Sequence, residues 1–572
     1  SHSVTIPAFR LMNKNHLMRH LLILCFFSPL SLVWAQSTAT IPVDQLASLG
    51  KVWGFLKYYH PQIAAGKTDW DSVLVTDLPR LETKPSSAQL NQIISNWLET
   101  YGPVEACNEC EPFPSDSNYR NLDLAFLEED LLLSLEIRKQ LQHIRDNHHQ
   151  GAKYYALPSK WDGPVDFENE KPYKEMRYPT RPYRMLALFR YWNAVQYYFP
   201  YKYHLERDWA EVLEEYVPVL YEAQDSTAYI FAMRRLTAQI YDSHSFFNSC
   251  IWNNAHGDYR LLMNLQVVED EFMVRQVHAN EAGERYPLQK GDVIVSINGE
   301  FAADRRDRLQ PYLIASNDIT TKRNIGRWLL LGDEPEMELV VRRGEKTLTY
   351  QVEGVPINSY YDILKNQYNQ TQEPKWKIMP NNIAYVDMGR LEWKEVRPMM
   401  RKIKNCQAII FDVRNYPKGT MYRVGEYLMP QKAPFVTFTY PDPELPGRFL
   451  WYEEPYRIGT KSNKKYYQGK VIVLQNETTQ SHAEFTIMSL QVTPDCTVIG
   501  SQTAGADGNV TFLWLPGGAK AAFTGLGVYY PDGRETQRIG IVPDREIKPT
   551  IAGMQAGKDE VLEYAIDFIK SL

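Results

Sequence analysis

The sequence predicts a multidomain protein with a duplicated all-α N-terminal region, a β-rich middle domain and an α/β C-terminal domain. Three observations carry this. An aromatic pattern recurs at a constant offset before residue 258, short extended segments replace it from about 258 to 354, and apolar strand runs alternate with helical patterns from about 375 onward. At 572 residues the chain also exceeds what one hydrophobic core ordinarily serves.

Residues 1–35 read as upstream sequence followed by a secretory leader. Met18-Arg19-His20 precedes the apolar run Leu21–Phe27, and Val33 and Ala35 supply small residues at the −3 and −1 positions of a cleavage site after Ala35. The run is short for a membrane span and is followed by Pro29, so no integral span is expected once the leader is removed. An exported chain, periplasmic or secreted, follows. Of the six cysteines, Cys107 and Cys110 form the only close pair, and in an exported chain that spacing favours a disulfide over a metal site. Cys250, Cys406 and Cys496 read as small apolar residues. The net charge of −6 and the absence of any basic block argue against nucleic acid as a partner. No metal or nucleotide motif is present, so no cofactor is expected.

The helical region comes in two copies, 36–110 and 186–257. Trp53, Tyr58-Tyr59, Pro61, Asp69-Trp70, Leu74, Pro79 and Leu81 recur without gaps as Trp192, Tyr197-Tyr198, Pro200, Asp208-Trp209, Leu213, Pro218 and Leu220, an offset of 192 − 53 = 139. Each copy reads as an aromatic helix, a proline-marked turn and an amphipathic helix whose first turn carries an aspartate. Between them, 111–185 predicts one helix over Leu122–Gln142 and then a Pro-, Tyr- and Lys-rich linker to Arg184. A further helix over Tyr229–Tyr241 stops at Asp242-Ser243-His244-Ser245.

From 258 to 356 the segments at Arg260, Phe272 and Val293 look extended. The stretch Pro287–Gly299, with a Gly-Asp turn, a buried strand and an Asn-Gly turn, resembles the signature of a PDZ domain. That resemblance implies a fold that takes a peptide as an added strand, or else a β domain that only spaces its neighbours.

In 375–572 the runs Ile383–Asp387, Ala408–Asp412 and Val471–Gln475 have the composition of buried parallel strands, with helical patterns at Val396–Lys404, Tyr422–Leu428 and His482–Gln491 between them. Ser481 stands where a strand, a polar turn and a helix meet. Free amides at a helix start can stabilise an oxyanion, which suits a nucleophile there, although a serine before a helix is also an ordinary cap.

Four segments, in order, resemble tail-specific (C-terminal-processing) serine peptidases. Asn476–Glu484 is similar to that family's nucleophile segment Asn-x-x-Thr-x-Ser-x-Ala-Glu. Asp412-Val413-Arg414-Asn415 resembles its Asp-Leu-Arg-x-Asn turn, one residue shorter. Ile499–Gly505 resembles Ile-Gly-x-x-Thr-x-Gly, and Gly540–Asp544 resembles Gly-Val-x-Pro-Asp. With the PDZ signature the resemblance spans residues 230–572. It implies an acyl-enzyme formed on Ser481 and peptides or unfolded proteins as substrates. Many such peptidases place a general-base Lys just after the third turn, where this chain has Ala506-Asp507. The tricorn-like branch instead uses a His preceded by a Ser before the PDZ domain, together with a Glu upstream of the last turn. By this resemblance His244 is the general base, with Ser243 and Glu535 holding its ring, and the backbone amides of His482 and Gly419 are the oxyanion donors. One departure stands out: the Gly-Gly expected after the first turn is replaced by Tyr416-Pro417-Lys418-Gly419, and Pro417 has no N–H to donate. An inactive peptide- or ligand-binding relative of the same fold is the alternative. An unrelated esterase is disfavoured because no Gly-x-Ser-x-Gly elbow occurs.

Overall fold

Strand runs apolar at nearly every position suit a sheet covered on both faces. The computed structural model of the chain covers them so. It describes residues 41–108, 110, 120–148, 151–159, 163–254, 257–370 and 373–572. The expected leader lies outside them.

The first helices are α1 (Val43–Tyr59), α2 (Trp70–Thr83), α3 (Arg181–Tyr198), α4 (Trp209–Tyr221) and α5 (Ser226–Ala238). Trp53 Nε1 donates to the Trp70 carbonyl at 3.1 Å and Trp70 Nε1 to the Trp53 carbonyl at 2.9 Å. Trp192 and Trp209 make the same exchange at 2.6 and 3.0 Å. Buried indoles thus satisfy their one donor on a backbone carbonyl of each other's helix. Asp69 and Asp208 cap α2 and α4 by accepting the amides of Ser72 and Ala210.

One expectation for 111–185 needs correction. The helix expected over Leu122–Gln142 is broken into Phe126–Glu129 and Leu135–Asp146. Asp130 accepts both the Ser48 hydroxyl at 2.6 Å and the Leu132 amide, and Ser134 caps a new helix through the Ile137 amide. These polar residues offer the backbone an alternative to a continuous helix. The Pro-, Tyr- and Lys-rich stretch is loop, as expected, and it buries Phe167 and Glu170. Glu170 meets Lys57 at 2.5 Å and Arg190 at 2.9 Å, and Arg190 also reaches Asp71 at 2.5 Å. Arg190 and Lys57 hold the Asp71 carboxyl below its usual range against the opposing effect of burial. Cys107 and Cys110 are joined as a disulfide.

The middle region follows strand β1 (Phe246–Asn248). Strands β2 (Met263–Val268), β3 (Glu271–Val277), β4 (Val293–Ile297), β5 (Glu336–Arg343) and β6 (Lys346–Glu353) form an antiparallel sheet in that order, with helix α6 (Asp318–Trp328) between β4 and β5 in sequence. Their inward side chains, among them Met263, Phe272, Ile294, Leu339 and Ile325 of α6, make one core. Asn298 and Gly299 both take positive φ after β4, as the Asn-Gly pair predicts.

The C-terminal region contains β7 (Trp376–Met379), β8 (Ile383–Asp387), α7 (Trp393–Ile403), β9 (Ala408–Asp412), α8 (Met421–Leu428), β10 (Ala433–Pro441), β11 (Phe449–Trp451), β12 (Tyr456–Ile458), β13 (Lys470–Gln475), α9 (His482–Gln491), β14 (Cys496–Gly500), β15 (Val510–Leu515), β16 (Ala519–Thr524), β17 (Gly527–Tyr529), β18 (Arg545–Glu546) and α10 (Glu560–Ser571). The main sheet has the order β7-β8-β9-β13-β14-β18 and is parallel from β8 onward. Ile409, Phe411, Val471 and Val473 pack under α7, α8 and α9. Their neighbours Ala408, Ile410, Ile472 and Leu474 pack against α10. The β9, β13 and β14 strands all end at one rim, where open α/β sheets carry their sites. No described helix is long and apolar enough to cross a membrane.

Candidate active site

Ser481 follows the turn at the end of β13. That turn is fastened to the neighbouring rim loop by Thr479 Oγ1 on the Val413 carbonyl (2.9 Å) and Thr478 Oγ1 on the Arg414 carbonyl (3.1 Å). Ser481 itself has φ 60° and ψ −128°, a conformation costly for a residue with a Cβ. Its amide donates to the Ala506 carbonyl at 2.9 Å and to Glu484 Oε2 at 3.1 Å. Glu484 is fully buried and also accepts from Thr503 Oγ1 at 2.5 Å and from the amides of Gly505 and Ala506. One carboxylate thus ties the serine's backbone to the turn after β14. Burial lifts Glu484 to about 7, although these four donors pull it down.

His244 reaches this rim by strand pairing. Strand β1 runs antiparallel to β16 with Phe246 opposite Ala522. Two residues before that pairing begins, His244 lies beside Thr524, the last residue of β16. Thr524 Oγ1 lies 3.4 Å from His244 Nδ1 and 3.0 Å from Asp242 Oδ1. Asp242 is buried and accepts in addition from the amides of Thr524 (2.7 Å) and His244 (3.0 Å). Burial holds the His244 imidazole below its ordinary pKa, while the Asp242 charge opposes that fall. A ring kept neutral at physiological pH can accept a proton. No hydrogen bond joins Ser481 Oγ to His244 among the described residues. The two segments are instead linked one residue back from each, by Gln480 Nε2 on the Ser243 carbonyl at 3.0 Å.

Among the described residues, neither Ser243 nor Glu535 hydrogen-bonds to the His244 ring. The Ser243 hydroxyl accepts the Ser316 amide at 2.8 Å and lies 3.2 Å from Thr320 Oγ1, so it fastens His244's loop to the start of α6. Glu535 bonds to His204 Nε2, accepts the Tyr203 hydroxyl at 2.8 Å and pairs with Arg120 at 3.0 Å. These three neighbours engage both of its oxygens, which is why it is not available to the base. The groups beside the imidazole are Thr524 and Asp242. Asp242 belonged to the Asp-Ser-His-Ser pattern but drew no role from it, and Thr524 carried no signal at all.

Gly419 takes φ +71° beside His482, with a Cβ built on it only 3.8 Å from His482 Nε2. Asp412 and Asp559 grip Arg414 from two sides at 2.7 to 3.0 Å, and this shapes the loop that leads to Tyr416 and Pro417. Asp507, just beyond Ala506, is buried with Oδ2 unpartnered, and burial followed by the nearby Glu484 charge holds it well above its usual pKa.

A serine on a strained strand-to-helix turn, a neutral imidazole and a helix N-terminus are the parts acyl transfer requires. Residues 382–547 match the model of peptidase family S41. The chain carries an S41 serine-type peptidase domain. No curated protein sequence matches the chain. Mature CPAF complexed with lactacystin is 13% identical, with a TM-score of 0.51 over 68% of this chain and 98% of its own. A CPAF mutant gives 13% and 0.53 over 68% and 97%. A putative peptidase from Parabacteroides merdae gives 16% and 0.42 over 68% and 97%. At such identities the likeness to CPAF is one of fold, and it reaches well beyond the S41 segment.

Proposed function

We propose that this chain is an endopeptidase that cleaves peptides or unfolded proteins through an acyl-enzyme on Ser481, with His244 as general base. The placing of His244 beside Thr524 and Asp242, on a loop that Gln480 ties to the turn before Ser481, is the observation that supports this most. His244 Nδ1–H donates to Thr524 Oγ1, and the Thr524 hydroxyl donates to Asp242. That fixes the tautomer and leaves Nε2 to accept the proton of Ser481 Oγ as the oxygen attacks the peptide carbonyl. Nε2 then returns the proton to the leaving amine, and water releases the acyl group by the reverse route. The amides of His482 and Gly419 hold the oxyanion, with Pro417 contributing none. Ser243 and Glu535 act at one remove, by positioning the loops around the base.

The antiparallel sheet over 263–353 with α6 is PDZ-like in this reading, and the two Trp-paired helical modules descend from one duplicated unit. The leader pattern and the Cys107–Cys110 disulfide support export.

A fluorophosphonate probe tests the core of the proposal. Wild-type protein should label, and Ser481→Ala and His244→Ala should not. Equal labelling of wild type and Ser481→Ala rules out Ser481, and no labelling of either identifies an inactive member of the fold.

A further inference from the structure

A cavity of about 240 Å³ runs between β2 and α6 and continues onto Glu477, Thr478 and Ser501, in the rim loops beside Ser481. Its lining is strongly basic. Arg260, Arg275, Lys322, Arg323, Arg327 and Lys548 face it, against only Glu269 and Glu477. Two of these cations are paired with carboxylates, Lys322 with Asp270 at 2.7 Å and Lys548 with Glu546 at 2.6 Å, while Arg323 is held by two neutral acceptors, the Glu477 carbonyl and Gln480 Oε1. Arg260, Arg275 and Arg327 have no carboxylate partner among the described residues. Arg260 is also 8% exposed, lies over the Tyr360 ring at 4.2 Å and leaves Nε without an acceptor. A buried guanidinium donor with no acceptor is costly unless a ligand supplies one. Arg327 is held below the usual guanidinium value, first by its packing and then by the charge of Arg260. The remaining wall is β2, an edge strand whose outer side pairs with no strand among the described residues. An unpaired edge accepts an extended chain.

We infer that this groove binds an acidic peptide segment, added as a strand on the outer edge of β2, with side-chain carboxylates neutralising Arg260, Arg275 and Arg327. This rests on the peptidase reading in one respect, that the bound segment belongs to a substrate held alongside Ser481. Arg323 closes the groove toward the site, since its other hydrogen bonds end on the turn that precedes the nucleophile.

The test is fluorescence anisotropy with full-length Ser481→Ala protein and labelled decapeptides. An Asp/Glu-rich peptide with an amidated C-terminus should bind about tenfold more tightly than its Asn/Gln counterpart, and raising salt from about 50 to about 300 mM should weaken it several-fold. Combining Arg275→Gln with Arg327→Gln should cost about tenfold in affinity, with the urea unfolding midpoint unchanged. Should the double variant not fold, Arg275→Gln alone, on an exposed strand position, should give a smaller loss in the same direction. Equal affinity for the acidic and Asn/Gln peptides overturns the inference, as does binding that requires only a free C-terminal carboxylate. Acidic-peptide binding by a protein whose Ser481 never labels supports the groove and removes the peptidase reading.

Discussion

The Thr524 hydroxyl stands between two groups of one loop, 3.0 Å from Asp242 Oδ1 and 3.4 Å from His244 Nδ1. It passes the influence of a buried carboxylate to an imidazole that the carboxylate does not itself grip. Asp242 raises the His244 pKa while burial lowers it. Asp242→Asn should therefore shift the acid limb of the pH–rate profile to lower pH, because the protonated ring loses its stabilising charge. The maximal rate should drop by about a hundredfold as the tautomer is freed. Thr524→Val should lower the rate without adding or removing charge. An acid limb that stays in place in Asp242→Asn would remove Asp242 from the mechanism.

Glu535 gives the opposite expectation. Its oxygens serve Tyr203 and His204, between α3 and α4, and Arg120 of the preceding segment, and so tie both to the turn after β17. Glu535→Gln should lower stability by about 1–2 kcal/mol, read from urea unfolding, with the acid limb unmoved. A pH profile displaced as in Asp242→Asn would return Glu535 to the base.

What could be read from the sequence divides by range. The turn carrying Ser481 was legible because strand, polar turn and helix are contiguous, and the apolar runs beside it named the sheet. His244 was legible only by resemblance, since its place depends on a contact with a residue 280 positions away, Thr524. Thr524 has no local mark, because a threonine ending a strand is ordinary. Glu535 drew attention as a carboxylate near a shared turn, while its partner His204 sits on a short helical turn 331 residues earlier. Glu170 was hidden by composition. A Pro- and Lys-rich stretch looks solvated, and the counter-signal was Lys57 and Arg190 set among apolar and aromatic neighbours in their helices.

Gly419 tests the oxyanion loop. Its φ of +71° disfavours any side chain, while a new Cβ would meet His482 at an ordinary contact distance. Gly419→Ala should thus act through the backbone, costing about 1 kcal/mol or shifting the loop. Fluorophosphonate labelling should slow several-fold while the unfolding midpoint moves little. Unchanged labelling would place the second oxyanion donor elsewhere.

Glu484 tests the anchoring of the nucleophile. Replacing it by Gln turns an amide N–H₂ toward donors and should cost about 2 kcal/mol. Its pH dependence has a definite sign. The folded pKa of about 7 lies above the ordinary 4.5, so the folded state binds this proton more tightly than the unfolded state does. The group's contribution to stability is greatest below 4.5 and is lost as pH rises through 7. The stability gap between wild type and Glu484→Gln should therefore widen on acidification from pH 7 to 4.5, and a gap that narrows contradicts the assignment.

The buried charges of the helical region give a prediction remote from the chemistry. Glu170 serves Lys57 at 2.5 Å and Arg190 at 2.9 Å, but the two cations are unequally insured. Arg190 keeps Asp71 at 2.5 Å, whereas Lys57 has Asp71 only at 3.7 Å. Glu170→Gln should then cost about 3–5 kcal/mol, mostly through a stranded Lys57 ammonium. Adding Lys57→Met removes that ammonium while keeping an unbranched apolar stem, and should recover more than half of the loss. Arg190 also donates to the Trp514 carbonyl of β15, the strand paired with β16. The double variant retains that bond, so Ser481 should label at the wild-type rate. Urea midpoints for the two single variants and the double variant decide the matter. Additive losses would show that Lys57 and Glu170 do not depend on each other.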